Sequence, residues 1–240
     1  WSVIYPVGMY FVISNIAMLV LTMFLPAKEE TYLLRHIIVT LAAFPVVYSF
    51  YQGQKEARRP KLFSSFFAFF AGALVGAALN NVIALTPLIS VSETYQSVSR
   101  AFFGGTLFLE IVAVCVLTPA LEELLYRGVV YRRLRGWLGV WPSVLFSALL
   151  FGLMHANIVQ FVYAGLIGIL LAWLMEKYGL WAAVSAHIGA NLISVLRSEF
   201  SVFPAKEETM AYLAWTGAFL LAFLVCLWAL YRGTDDTRSR

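Results

Sequence analysis

The stretch Glu122-Glu123-Leu124-Leu125-Tyr126-Arg127 places two carboxylates and a guanidinium in a long apolar region that begins at Ala101. An ionised side chain inside a hydrocarbon-spanning segment costs about 3 kcal/mol or more, so such residues mark functional sites by default. Two later apolar segments carry further polar side chains, His155 in the first and His187 with Asn191 in the second. Together these residues predict a hydrolytic site inside a bilayer.

The composition predicts an integral membrane protein. Of the 240 residues, 61% are apolar and 12% are charged, whereas about a quarter of the residues in a soluble domain are charged. The connections between apolar segments are brief, so we expect one all-α membrane domain over residues 1–240, with the catalytic helices at 101–196. A helix crosses a bilayer with about 20 apolar residues, and eight such segments are predicted around a water-filled cavity: Ile4–Leu25, Leu33–Tyr51, Leu62–Leu85, Phe102–Gly128, Trp141–Ile158, Phe161–Met175, Leu180–Leu196 and Ala211–Tyr231.

The basic residues lie unequally on the two sides of this predicted bundle. Because cytoplasmic connections are enriched in lysine and arginine, the richer side and both termini are predicted to be cytoplasmic. The short connections favour a bacterial cytoplasmic membrane. The net charge of +4 is explained by this topology, and no nucleic-acid partner is expected. The richer side holds Lys55, Arg58, Arg59, Lys61, Arg132, Arg133, Arg135, Lys177, Arg232, Arg238 and Arg240, and the other side holds Lys28, Arg35, Arg100, Arg197 and Lys206.

Helical spacing predicts different environments for the two adjacent glutamates. Glu123 and Arg127 are four residues apart, so they meet on one helix face and form an ion pair that offsets part of the cost of burial. Glu122 points about 100° away, and its own neighbour one turn later is Tyr126, whose hydroxyl is placed to donate to it. Thr118-Pro119 lies just upstream, where proline removes a backbone hydrogen bond and opens space beside Glu122.

Two spacings of small residues predict close helix packing. Gly72 and Gly76 are four residues apart, as are Ala164 and Gly168. Small residues at this spacing allow helix backbones to approach closely in a membrane. Glu110 is one more carboxylate in an apolar segment, for which a water pocket or a helix contact is the simplest interpretation.

Several common hydrolase sites are absent from the sequence. The only aspartates are Asp235 and Asp236 in the tail, which excludes a paired-aspartate protease. Neither the HExxH helix of zinc proteases nor the GxSxG elbow of serine hydrolases occurs. Singly, His155 and His187 are each explained as hydrogen-bonded packing residues. A joint role is favoured because His36, near a predicted membrane boundary, is the only other histidine.

Three motifs carry a resemblance to a known family. E-E-x-x-x-R at Glu122–Arg127, F-x-x-x-H at Phe151–His155 and H-x-x-x-N at His187–Asn191 resemble the motifs of the CPBP family, the CAAX-processing and bacteriocin-processing membrane proteases, also called the ABI family. The resemblance covers roughly 121–196 and implies about eight membrane helices around a conical cavity, with peptide-bond cleavage near a membrane surface. By position, it implies that Glu122 is the catalytic glutamate, that His155, His187 and Asn191 complete the site, and that Glu123 and Arg127 hold it.

Two chemistries fit these residues. In the favoured one, which needs no cofactor, Glu122 takes a proton from a water oriented by His155 and His187, and Asn191 or a histidine N–H stabilises the oxyanion. In the alternative, His155, His187 and Glu122 bind Zn²⁺ with one open position. The metal-free version is preferred because no other carboxylate is placed to act as the base.

Two functions without hydrolysis stay open. The first is a catalytically silent scaffold or regulator with the same fold. The second is a proton-coupled transporter that uses Glu122 and the histidines. Transporters tend to contain internal repeats, which are not evident here. The expected partners of a protease are the bilayer and a membrane-bound peptide or a lipidated or anchored protein.

Overall fold

The computed structural model describes residues 1–26, 28–52, 62–200, 203–204, 206 and 208–235. Every regular element within these ranges is a helix, which confirms the predicted all-α class. Several basic residues used to predict the orientation lie outside the described residues, and the same applies to Asp236. These basic residues are Lys55, Arg58, Arg59, Lys61, Arg238 and Arg240.

The described residues form ten helices. The sixth is a continuous helical run that contains two π-helical segments, Ile111–Leu117 and Leu124–Tyr131. In chain order, the helices are α1 (Ile4–Phe24), α2 (Glu29–Gln52), α3 (Leu62–Ala84), α4 (Leu88–Val91), α5 (Glu93–Phe102), α6 (Leu107–Arg135), α7 (Val140–Leu153), α8 (Ile158–Tyr178), α9 (Leu180–Glu199) and α10 (Thr209–Asp235).

The chain is a polytopic membrane protein. In the described part of the chain, six helices are long and apolar enough to cross a bilayer, namely α1, α2, α3, α8, α9 and α10. A seventh crossing is made by α5 and α6 together if their pair, bent by 112°, counts as one span. The predicted count of eight is not confirmed, because α7 has only 14 residues and rises about 21 Å, short of a hydrocarbon core of about 30 Å.

Antiparallel packing gives the bundle two distinct ends. At one end, Arg133 donates to the Ser2 carbonyl, and Arg135 lies 3.4 Å from Glu176. This end, which we call the basic end, holds the starts of α1, α3, α7 and α9 and the ends of α2, α6, α8 and α10. The opposite end holds α4 and α5, together with the start of α6 and the end of α9.

Helices α3 and α9 pack with their backbones in near contact. A Cβ atom added at Gly72 would lie 1.9 Å from the Ala186 carbonyl oxygen, and one at Gly189 would lie 2.1 Å from that of Phe69. One at Gly76 would lie 3.1 Å from the Ala190 Cα. The close packing predicted from the Gly72 and Gly76 spacing is confirmed, and it fixes the helix that carries His187.

Glu110 stabilises the bend between α5 and α6. Its side chain is buried, and Oε1 accepts a hydrogen bond from the Gly105 N–H at 3.2 Å. Thr106 caps α6 by accepting from the Leu109 N–H. The predicted span Phe102–Gly128 therefore begins too early, since the chain turns at Gly104-Gly105 before α6 starts. This bond is made to the backbone of the turn, so the two interpretations offered for Glu110, a water pocket and a helix contact, both stay predictions.

The break between α7 and α8 falls earlier than the sequence predicts. α7 ends at Leu153, and α8 begins at Ile158, where the Asn157 side chain accepts from the Gln160 N–H at 2.9 Å. Ala156, in the break, adopts a left-handed conformation with φ of 56°. His155 therefore lies in the turn after α7, and the predicted span Trp141–Ile158, which placed it within a helix, is wrong at this end.

Candidate active site

A cavity of about 590 Å³ runs from the middle of the bundle to the end opposite the basic end. It is lined at mid-depth by Glu122 on α6, by His155 in the α7–α8 turn and by His187 and Asn191 on α9. Residues of α4 and α5 line its outer part. The four residues predicted as catalytic thus come together from three parts of the chain, although their chemical roles stay predictions.

The two adjacent glutamates occupy different environments. The Glu122 side chain is 16% exposed and lines the cavity, whereas the Glu123 side chain is fully buried on the packed side of α6. Successive residues of a helix point about 100° apart, so one carboxylate faces open space while the other faces protein. Glu122 is therefore the carboxylate that a ligand can reach.

Glu123 forms the ion pair that the spacing predicts. Its Oε1 accepts from Arg127 Nη1 at 2.8 Å and lies 2.9 Å from His187 Nδ1. Arg127 also donates to the Gly168 carbonyl at 3.1 Å and stacks 4.5 Å above the Phe151 ring centroid. A fully desolvated ion pair needs such additional partners to offset the loss of hydration. The pair links α6 to α8 and α9.

Hydrogen bonds define which nitrogen of each histidine faces the cavity. His187 Nδ1 donates to the Glu123 carboxylate, and His155 Nδ1 donates to the Phe151 carbonyl at 2.9 Å, because both oxygens only accept. In the neutral ring, Nε2 then carries a lone pair. The Nε2 of His187 lies 3.8 Å from Glu122 Oε2. The predicted base, Glu122, therefore lies beside a nitrogen that can accept a hydrogen bond.

Phe151 and Tyr126 pack around these groups. The Phe151 ring contacts the His155 ring edge-on at 5.0 Å, the His187 ring at 5.6 Å and the Tyr126 ring at 5.0 Å. Perpendicular ring contacts of this kind are favourable. Phe151 therefore holds both imidazoles, which the motif alone does not reveal. Tyr126 is buried, and its hydrogen bond to Glu122 stays a prediction.

Asn191 ties α9 to a backbone carbonyl exposed by Pro119. The Thr118 N–H donates five residues back to Ala113, which is the π-helical register. The next donor in that register would be Pro119, which has no N–H, so the carbonyl of Val114 is left free. Asn191 Nδ2 donates to this carbonyl at 2.8 Å. One amide hydrogen of Asn191 is thereby used for positioning, and the second is available to a ligand.

The sequence interpretation missed His36. It lies on α2, lines the same cavity and is 2.8 Å from Thr118 Oγ1 through Nε2. No motif contains His36, and its distance of more than 80 residues from the other motifs gives no hint of proximity. The only signal was that all three histidines of the chain fall in or beside apolar segments.

The predicted alternative zinc ligands do not form a metal-binding cluster in the described part of the chain. Among the described residues, no group of three or more His, Cys, Asp or Glu side chains is arranged to hold a metal ion. His155, His187 and Glu122 line one cavity, but Nδ1 of each histidine is already used by a protein acceptor. Any metal would have to bind both rings through Nε2.

This part of the chain is similar to one known protein family. Residues 104–193 match the family model described as Type II CAAX prenyl endopeptidase Rce1-like. The segment is Rce1-like. It contains all three motifs, and the resemblance predicted from them is confirmed. No curated protein and no solved structure shows significant similarity to the chain. The Rce1-like match supports an intramembrane protease that acts on membrane-associated peptides.

Proposed function

We propose that the chain is an intramembrane endopeptidase that cleaves membrane-associated peptides or anchored proteins with a water activated by Glu122. One observation carries the proposal. Glu122 is the one carboxylate among the described residues that line the cavity, and it stands 3.8 Å from an imidazole nitrogen whose ring is held by the buried Glu123–Arg127 pair. A general base needs such access and such an orienting neighbour.

The hydrolysis balances with these groups alone. A water donates one hydrogen bond to a histidine Nε2 and the other to Glu122, which takes that second proton while the water oxygen attacks the scissile carbonyl carbon. The free N–H of Asn191 stabilises the developing oxyanion, a contribution of about 3 kcal/mol in comparable sites. The C–N bond then breaks, and protonated Glu122 gives its proton to the leaving amine. The products are a new carboxylate and a new amine.

The metal-free route has a direct test. Purified protein is expected to contain well under one zinc ion per chain and to stay active after exhaustive chelation. A zinc enzyme would lose activity on chelation and regain it when zinc is returned. Elemental analysis combined with chelation and rescue separates the two routes and leaves the protease proposal intact in either case.

The orientation of the cavity restricts where the substrate enters. Over the full sequence, the side that includes Arg132, Arg133 and Arg135 is assigned eleven basic residues and the other side five, which supports a cytoplasmic location for the basic end. The cavity opens at the other end. We therefore infer that the substrate reaches the site from the non-cytoplasmic face of the membrane, in bacteria the outer face of the cytoplasmic membrane.

Comparative peptidomics tests the proposed function in cells. Membranes from cells producing the wild-type chain or Glu122→Gln are extracted, and their peptides are sequenced by mass spectrometry. The protease predicts a set of new termini that appear only with the wild type. Identical peptidomes would contradict proteolysis and favour the scaffold. Flux of protons into liposomes, measured beside cleavage, would instead identify a transporter.

A further inference from the structure

Gln160 lines the cavity and has no role in the proposed hydrolysis. It lies in the first turn of α8, and its side chain is half-buried. The other two amide side chains among the described lining residues, Asn80 and Asn191, each use their NH₂ group in a hydrogen bond to a protein acceptor. In the described part of the chain, no protein acceptor is bonded to Gln160 Nε2. This NH₂ group is therefore free to bind whatever occupies the cavity.

The neighbouring side chain of Asn157 fixes which way the Gln160 amide points. Asn157 Oδ1 accepts from the Gln160 backbone N–H at 2.9 Å, and Asn157 Nδ2 donates to the His155 carbonyl at 3.1 Å. Because a backbone N–H only donates and a carbonyl only accepts, these two bonds allow one orientation of the Asn157 amide. The same Nδ2 also donates to Gln160 Oε1. The Gln160 oxygen therefore faces Asn157, and its NH₂ group is left on the cavity side.

The Gln160 amide is held in place before a ligand arrives. Asn157 is 8% exposed and caps α8, and its hydrogen bonds connect Gln160 to the turn that carries His155. A side chain that is already fixed loses little conformational freedom on binding. An amide NH₂ group is an uncharged donor with two hydrogens, which suits an uncharged acceptor. An extended peptide presents such an acceptor, a main-chain carbonyl oxygen, at every residue.

Gln160 lies closer to the open end of the cavity than the proposed catalytic groups. Tyr163, about one turn deeper on α8, donates to the Ala190 carbonyl at 3.4 Å, and His187 lies three residues deeper than Ala190 on α9. These offsets place Gln160 about 5–10 Å above the level of His187, which corresponds to about one to three residues of an extended peptide.

We propose that Gln160 Nε2 donates a hydrogen bond to a main-chain carbonyl of the peptide substrate, about one to three residues from the scissile bond. The proposal rests on the proposed peptidase function and assigns a substrate-positioning residue to it. It explains why the amide is oriented by a buried cap on one side and left without a protein partner on the other.

Binding is measured on the Glu122→Gln chain, which leaves bound peptides intact. The probes are hydrophobic decapeptides whose peptide bonds are replaced one at a time by thioamides, since a thioamide sulfur accepts a hydrogen bond more weakly than oxygen does. At one position, the replacement is expected to weaken binding about three- to tenfold, the range of a hydrogen bond between uncharged groups. Adding Gln160→Met, which keeps a similar volume without the donor, should weaken binding of the unmodified peptide and abolish the effect at that position. A scan that Gln160→Met leaves unchanged, or no binding of any decapeptide, would overturn the proposal.

Gln160→Glu separates the donor from a structural role. The glutamate keeps an oxygen for Asn157 to bond but replaces the NH₂ group with a second oxygen. If the NH₂ group binds the peptide, Gln160→Glu and Gln160→Met both lose the position-specific effect. If Gln160 only supports the His155 turn, Gln160→Glu keeps the effect, which would overturn the proposal. Gln96→Met is the matched control, because Gln96 lies at the same end but donates to α4 carbonyls and does not line the cavity.

Kinetics on the otherwise wild-type chain separates this proposal from the proposed function. A contact made equally in the bound substrate and the transition state affects KM alone. Gln160→Met is therefore expected to raise KM about three- to tenfold and to change kcat by less than about twofold. Cleavage that is insensitive to Gln160→Met, or a fall in kcat at constant KM, supports the peptidase and overturns this role of Gln160. Binding that depends on Gln160 at one position, without any cleavage, supports the peptide contact and contradicts the peptidase.

Discussion

Glu122 and Glu123 are adjacent in sequence, yet one lines the cavity and the other is fully buried against Arg127 and His187. Their difference follows from helix geometry, which turns successive side chains about 100° apart. The buried carboxylate neutralises Arg127 and orients His187, and these two contacts leave the cavity-facing carboxylate free for chemistry. Two residues of the same type are therefore expected to respond differently to substitution.

Glu123→Ala and Arg127→Ala are each expected to destabilise the protein by about 3–5 kcal/mol, because each leaves a buried charge unpaired. The double variant is expected to lose less than the sum of the two, since neither unpaired charge then remains. Thermal unfolding of the four proteins in detergent measures this coupling. Strictly additive losses would contradict a coupled pair.

His155→Ala and His187→Ala are each expected to lower turnover by about 10²-fold or more, as groups that position reacting atoms do. His36→Ala is the matched control. His36 lines the same cavity, but its Nε2 contacts Thr118, which lies one helical turn before Glu122, and so is not directed at the proposed water. We expect its turnover to fall less than tenfold. Steady-state kinetics on the three variants decides this, and similar losses in all three would indicate a general packing effect.

At the scale of the helices, the packing of α3 on α9 sets the position of His187. Gly72→Ala is expected to destabilise the protein by about 2 kcal/mol and to lower activity, because its Cβ would overlap the Ala186 carbonyl next to His187. Gly165→Ala on α8 is the control, since nothing lies within 4 Å of the added carbon. Thermal-shift and activity measurements test both, and equal behaviour of the two variants would argue against close α3–α9 packing.

The sequence predicts the contacts that repeat along a helix and misses those that depend on breaks. The spacing of Glu123 and Arg127 predicts their ion pair because both lie on one uninterrupted run. The predicted helix Trp141–Ile158 wrongly includes His155, because the left-handed residue Ala156 and the Asn157 cap separate α7 from α8. Likewise, the contact of Asn191 with the Val114 carbonyl depends on a π-helical register beside Pro119, which apolar periodicity does not reveal.

Composition identifies a membrane protein, but the number of membrane crossings depends on features that hydropathy does not resolve. The short α7 and the bend between α5 and α6 are examples. The proximity of His36 to the motif residues is likewise a property of the assembled bundle. His36 lines the cavity with Glu122 although 86 residues separate the two in the sequence.

The proposed orientation is testable with single cysteines in a background where Cys115 and Cys226 are alanine. Glu93→Cys is exposed on α5 beside the cavity opening, and Trp137→Cys is exposed at the basic end. A membrane-impermeant maleimide added to spheroplasts is expected to label Glu93→Cys, and to label Trp137→Cys only after permeabilisation. The reverse pattern would place the cavity opening in the cytoplasm.

We propose that this bundle hydrolyses peptide bonds with a water activated by Glu122. The most direct measurement compares peptide cleavage by the purified wild type and Glu122→Gln in proteoliposomes prepared in ¹⁸O-water. We predict that the wild type places one ¹⁸O in each new carboxylate. Glu122→Gln should keep its thermal stability but cleave at least about 10²-fold more slowly. Cleavage by the Glu122→Gln protein at a rate near that of the wild type would contradict the account.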